Sequence, residues 1–175
     1  MAVAKTAKRS TQKDAVAILK EDHARVRKLL GQLAKTSEKA ASKRTQLLST
    51  IEEELKTHTQ IEEDVFYPAF RDAADRSEDR KLYYEAVEEH HVVDLVLPEL
   101  KGTGVESEQF AAKAKVLKDV VEHHAEEEET EMFPRARKLM GREELERLGG
   151  ELIKAKQALS AGVLDRLAGL VRSRS

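Results

Sequence analysis

Apolar positions along the chain recur at helical spacing. From Val16 they fall at Ile18, Leu19, Val26, Leu29, Leu30 and Leu33, one stripe of a helix reaching about Lys35. Thr11, with Asp14 three residues on, makes an N-terminal capping pattern ahead of it. Gly31 weakens this helix locally without ending it. The polar stretch Thr36 to Ser42 turns the chain. A second stripe holds Leu47, Leu48, Ile51, Leu55, Ile61, Val65 and Phe66. Pro68 then removes a backbone donor, and bends or ends that helix. The charged run from Arg71 to Asp79 reads as a loop. A third stripe holds Leu82, Val87, Val93, Val96, Leu97 and Leu100, with Pro98 near its end and a break at Gly102-Thr103-Gly104. The fourth holds Phe110, Val116, Leu117, Val120, Val121, Met132, Phe133 and Leu139, with Pro134 inside and Gly141 as its end. Two shorter helices are expected near 142–158 and 160–172, interrupted by Gly149, Gly150, Gly162 and Gly169. No segment shows the strict alternation of a half-buried strand.

Four long amphipathic stripes joined by polar turns predict an all-α fold, an antiparallel up-down-up-down four-helix bundle over 13–140. A flexible basic tail, 1–12, precedes it, and a short helical extension, 141–175, follows. The length of 175 residues suits a single core. Composition narrows the chemistry. A net charge of −2 gives no field that would gather nucleic acid, and no apolar run is long enough to cross a bilayer. No apolar segment follows the basic start, so the expected location is cytoplasmic. There is no cysteine, which excludes disulfides, iron–sulfur clusters and thiolate metal sites. Any metal must be held by nitrogen and oxygen. Nothing in the sequence names a partner protein or an oligomeric state.

The two halves of the chain repeat one another. Relative to His23, the first helix has apolar residues at the same offsets as the third has relative to His90: Val26, Leu29, Leu30 and Leu33 against Val93, Val96, Leu97 and Leu100. An acid, Asp22 or Glu89, precedes each histidine. Relative to His58 the second helix has Ile51, Leu55, Glu62 and Pro68. Relative to His124 the fourth has Leu117, Val121, Glu128 and Pro134. The repeat therefore selects the inward member of each double histidine: His90 rather than His91, and His124 rather than His123.

All six histidines sit on these four helices. Residues four apart stack on one helical face, so His58 with Glu62, and His124 with Glu128, each aim a nitrogen and a carboxylate at one point in the core. A lone inward histidine is more often a hydrogen-bonded core residue. Four at matched offsets with two carboxylates instead form a metal-ligand set, and the approximate two-fold symmetry suggests two equivalent ions. Imidazole with carboxylate suits iron, manganese or zinc. Of the acidic run Ala125–Glu131, only Glu128 is singled out by spacing; the rest reads as a solvated face. His91 and His123 read as exposed or supporting, and Asp94, four residues after His90, as a surface or supporting residue with an extra ligand as the alternative. Phe66, Tyr67 and Phe133 read as core residues closing one end of the bundle.

The segments Asp22-His23, His58-Thr-Gln-Ile-Glu62 through Tyr67-Pro68, Glu88-Glu89-His90-His91 and His123-His124-Ala-Glu-Glu-Glu128 through Phe133-Pro134 resemble the hemerythrin family in its bacterial HHE cation-binding branch. The resemblance covers roughly 14–140. It implies an oxygen-bridged di-iron centre of two iron ions, with His23, His58, His90 and His124 as terminal ligands and Glu62 and Glu128 as bridging carboxylates. Oxygen-carrying hemerythrins place a second histidine four residues after the first on the third helix, where this chain has Asp94. They also place an Asp five residues after the last-helix histidine, where this chain has Glu128 at four. The expected function is a non-haem di-iron protein that binds or reacts with dioxygen, nitric oxide or hydrogen peroxide. Peroxide-consuming or nitric-oxide-reacting activity, in peroxide or nitrosative stress defence, fits that expectation. The alternatives are an iron or oxygen sensor, a carrier, or an iron-storage or repair module without turnover, and a structural bundle holding zinc. Ferritin-like carboxylate proteins match less well, since they use Glu-x-x-His and more carboxylates.

Overall fold

The structure is a computed structural model that describes residues 13–172. Among these residues it is helical throughout, with no strand. The helices are α1 (Ala15–Ala34), α2 (Ala41–Ile61), α3 (Tyr67–Ala73), α4 (Ser77–Lys101), α5 (Glu108–Glu127), α6 (Phe133–Leu139) and α7 (Gly141–Arg172). A π-helical turn, Glu62–Phe66, joins α2 to α3, and a second, Glu128–Met132, joins α5 to α6. Asp14 itself caps α1, accepting the Ala17 N–H at 2.8 Å; Thr11 lies outside the described residues. Ser107 caps α5 in the same way through the Phe110 N–H at 3.1 Å.

The charged run after Pro68 is more ordered than its composition suggests. α3 continues to Ala73 and α4 begins at Ser77, so the loop is only 74–76 rather than Arg71 to Asp79. Glu78 and Asp79 occupy the first turn of α4, where negative charge meets the helix dipole favourably. Asp79 is buried, and both its oxygens accept from Arg135 at 2.6 Å.

Neither Pro68 nor Pro134 ends its helix. Each lacks the N–H that would bond four residues back. Just ahead of each proline the backbone widens instead: the Tyr67 N–H reaches five residues back to the Glu62 carbonyl, and the Phe133 N–H reaches the Glu128 carbonyl. This wider turn carries Tyr67 and Phe133 round towards the bundle interior, where they are 0% and 1% exposed.

Two apolar clusters flank a polar layer. One contains Val26, Leu30, Leu55, Val93, Leu97, Phe110, Leu117 and Val121. The other contains Leu19, Ile61, Phe66, Tyr67, Phe70, Met132 and Phe133, completed by Leu145, Leu148 and Leu152 of α7. At roughly 1.5–3 kcal/mol for each large side chain fully buried, these clusters can stabilise the fold around a polar layer that contributes little on its own. Val116, placed on the fourth stripe by its spacing, is 50% exposed.

The C-terminal extension departs from expectation. Instead of two short helices, α7 is one helix of 32 residues that packs on α1, α2, α6 and the first π turn. Gly149 does not interrupt it. A Cβ there would stand 2.3 Å from the Lys13 carbonyl oxygen, so glycine lets α7 approach the start of α1. Gly141 has φ +71° and ends the preceding helix as its spacing predicts. Gly31 of α1 and Gly149 of α7, both inside helices, should therefore behave oppositely. Gly31 has nothing near its Cβ position, so Gly31→Ala should stabilise by about 0.5–1 kcal/mol. Gly149→Ala should destabilise by about 1–3 kcal/mol through overpacking. Urea midpoints measure both, and stabilisation by Gly149→Ala would show that α7 is not seated against α1.

Candidate metal centre

α1, α2, α4 and α5 each contribute one buried histidine: His23, His58, His90 and His124, all between 3% and 5% exposed. Glu62 and Glu128 open the two π turns and are 0% and 2% exposed. The structure thus brings together the whole set selected by the repeat. The other candidates lie elsewhere. His91 and Asp94 are exposed on α4, and the side chain of His123 is 65% exposed. The position that the family resemblance associates with a further histidine therefore does not face this cluster.

Three of the four rings are turned the same way by carboxylates. Nδ1 of His23 meets Glu129 at 3.0 Å, Nδ1 of His90 meets Glu63 at 2.9 Å, and Nδ1 of His124 meets Glu89 at 2.8 Å. His58 Nδ1 faces Asp22 at 3.6 Å, beyond hydrogen-bond reach, and the Asp22 carboxylate instead accepts from Lys156 of α7. A ring that donates from Nδ1 to a carboxylate presents a bare lone pair on Nε2. The Nε2 atoms of His23, His90 and His124, set in this way, and that of His58 converge in pairs, His23 with His58 at 3.1 Å and His90 with His124 at 3.2 Å. The carboxylates span the pairs. Glu62 Oε2 lies 3.1 Å from His58 Nε2 and 3.3 Å from His90 Nε2. Glu128 Oε2 lies 3.2 Å from His23 Nε2 and 3.6 Å from His124 Nε2.

This donor set fits cations. Two nitrogens at right angles, each about 2.1 Å from one ion, stand about 3 Å apart, which matches both histidine pairs. Glu62 Oε1 and Oε2 and Glu128 Oε2 are buried without a hydrogen-bond partner, and each such atom costs about 1–3 kcal/mol. Burial, then the facing Glu128 carboxylate, pushes the Glu62 carboxyl well above the usual carboxylate range. Burial also lowers His58 to about 4, so that ring is neutral. Metal ligation would satisfy the orphaned oxygens and use the bare nitrogens at once.

The two ends of the cluster differ. On one side Tyr67 stacks on His90 with ring centroids 5.4 Å apart, and at the equivalent place Phe133 stacks on His23 at 5.7 Å. Tyr67 is more than the core filler its spacing suggests, since its hydroxyl donates to Glu128 Oε1 at 2.9 Å. Phe66, Phe70 and α7 seal this end. On the other side Val26, Leu55, Val93 and Val121 close over the four imidazoles and leave a cavity of about 10 Å³. Sequence reasoning missed Glu63 and Glu129, which were submerged in acidic runs. Each is the residue after a central glutamate, and that one-residue offset within the repeat was the available signal.

Comparison with known proteins agrees with this geometry. A solved hemerythrin HHE cation-binding domain-containing protein from Mycobacterium kansasii is 30% identical, covers 92% of this chain and 99% of its own, and superposes with a TM-score of 0.76. A protein named DNA nickase from Nostoc sp. (strain PCC 7120 / SAG 25.82 / UTEX 2576) is 26% identical over 152 residues, which is 87% of this chain and 40% of that protein. The chain thus spans about two fifths of that relative. The model of the hemerythrin HHE cation-binding domain matches residues 14–136, so the chain belongs to the hemerythrin HHE family.

Proposed function

We propose that this chain is a non-haem di-iron protein that reacts with a small ligand, in preference to storing dioxygen reversibly. In this reading His23 and His58 hold one ion, and His90 and His124 hold the other. Glu62 and Glu128, each within reach of both pairs, would offer a carboxylate to both ions. The first four helical rods act as the antiparallel up-down-up-down bundle of the family, with α7 as a fifth helix fixing Asp22 through Lys156. The observation that carries the reading is the convergence of the four Nε2 atoms in pairs, with carboxylates that reach both pairs. Bound iron would supply two-electron redox chemistry. The protein's own residues orient the donors, exclude bulk water and present a Tyr67 hydroxyl to Glu128.

Two features support a small ligand. The apolar cavity beside the imidazoles has room for about one water-sized molecule, which suits dioxygen, nitric oxide or peroxide and excludes larger substrates. Six protein donors would also leave room on two bound ions for an outside ligand, because Asp94 faces solvent and adds no donor. The Nostoc relative's name concerns DNA, and nothing of that activity enters this reading.

Glu62→Ala and Glu128→Ala should each lose most bound iron, while His91→Ala retains it. Glu63→Ala and Glu129→Ala should weaken iron binding by roughly 10–100-fold by releasing His90 and His23. Metal analysis with a visible spectrum reads all five, and equal loss in His91→Ala would remove the assignment. A colourless protein that purifies with zinc would favour the structural alternative.

Reduced iron-loaded protein mixed with air should form no long-lived oxygen adduct, and the oxidised protein should consume hydrogen peroxide or react with nitric oxide. Leu55→Ala, which enlarges the cavity, should change that rate several-fold while iron content stays constant. A stable oxygenated spectrum that reverts under vacuum, without peroxide turnover, would establish a carrier instead.

A further inference from the structure

The repeat that builds the centre is broken beside it. Asp22 and Glu89 occupy equivalent positions, each one residue ahead of a central histidine. Asp22 is covered by α7, and Lys156 binds its carboxylate. On the opposite side, no helix among the described residues covers the related groove between α4 and α5. That groove, of about 680 Å³, is lined by Arg80, Tyr84 and Val92 as well as Glu89, His123 and Glu127. Among the described residues, no lysine or arginine bonds Glu89 as Lys156 bonds Asp22.

Glu89 instead faces two histidines. Its Oε2 accepts from His124 Nδ1 at 2.8 Å, and its Oε1 stands 3.6 Å from His123 Nε2. Glu127 Oε1 stands 3.5 Å from the same Nε2. His123 and Glu127 are four residues apart on α5, the spacing of His124 and Glu128. They are turned about 100° round the helix axis, so this second His–Glu pair points outward.

We propose that Glu89, His123 and Glu127 form a further metal site, which takes a divalent first-row cation at the protein surface, one imidazole ring from the buried centre. The three donor atoms lie within 4.8 Å of one another. Two ligands about 2.1 Å from a tetrahedral ion stand about 3.4 Å apart, close to the nitrogen–oxygen distances of 3.6 and 3.5 Å found here. One imidazole and two carboxylates suit zinc, manganese or ferrous iron. Glu89 is already oriented by His124, which reduces the ordering cost of binding. The ion supplies Glu89 with the positive neighbour that Lys156 gives Asp22, and its remaining positions open into the groove. The proposal does not rest on which metal fills the centre.

The test titrates the metal-free full chain with zinc and counts bound ions per chain by calorimetry and metal analysis. Wild type should bind one more ion than His123→Ala or Glu127→Gln. His91→Ala, which removes a neighbouring exposed imidazole, should match wild type. Glu62→Ala should lose binding at the centre and keep the outer ion, so failure of the centre assignment would show separately as an unchanged Glu62→Ala. His123 is exposed, and its replacement should leave the melting temperature of the metal-free protein unchanged. Equal stoichiometry in wild type, His123→Ala and Glu127→Gln would overturn the site, as would loss of the same ion in His91→Ala.

Discussion

The structure depends on a layer of polar groups that cannot satisfy one another. Four imidazoles and two carboxylates meet in the middle of an apolar bundle, with Nε2 atoms facing in pairs at 3.1 and 3.2 Å. Two bare nitrogens at that distance share no proton if both Nδ1 atoms carry one. Burial, and after it the repulsion of the neighbouring Glu128 carboxylate, pushes the Glu62 carboxyl well above the usual carboxylate range. Such a layer is tolerated because the apolar clusters on both sides supply the stability and because a cation resolves the conflict. The outer carboxylates Glu63, Glu89 and Glu129 then acquire a purpose: each fixes a ring so that the reactive nitrogen points inward.

The prolines serve the same layer. A regular helix would put the residue five after a glutamate well off that glutamate's face. The π turns at Glu62 and Glu128 bring Tyr67 and Phe133 round instead, and their rings stack on His90 and His23. A residue that forbids one backbone hydrogen bond is thus used to re-aim an aromatic ring without ending the rod.

Much of this was legible in the sequence because periodicity and repetition are properties of chemistry at fixed offsets. The helical stripes and the pairing of His58 and His124 with a glutamate four residues on follow from helix geometry, and the choice of His90 over His91 and His124 over His123 follows from the internal repeat. What was not legible depended on contacts between helices. Asp79 lay in a charged run that reads as a loop, and Arg135, far away in sequence, pairs with it where it is buried. Glu129 was hidden among acids because its partner, His23, sits on another helix. The continuity of α7 ran against its glycine content. Gly149 is there for close approach to α1, which no local pattern announces.

Departures from the internal symmetry carry the information that the symmetry cannot. A two-fold repeat alone would give equivalent ions and equivalent surroundings. Tyr67 in place of a second phenylalanine puts a hydroxyl on Glu128 and none on Glu62. α7 covers Asp22 and leaves Glu89 beside an open groove. The half containing His90 and His124 therefore has both the phenol and the solvent-facing carboxylate, while the half containing His23 and His58 is sealed by a phenylalanine and a lysine-bearing helix. Ions held in two such halves would differ in hydrogen bonding and in distance from solvent. On the proposed reading, that difference would direct a reacting ligand to one side of the centre, because open coordination positions distinguish ligands only when their surroundings differ.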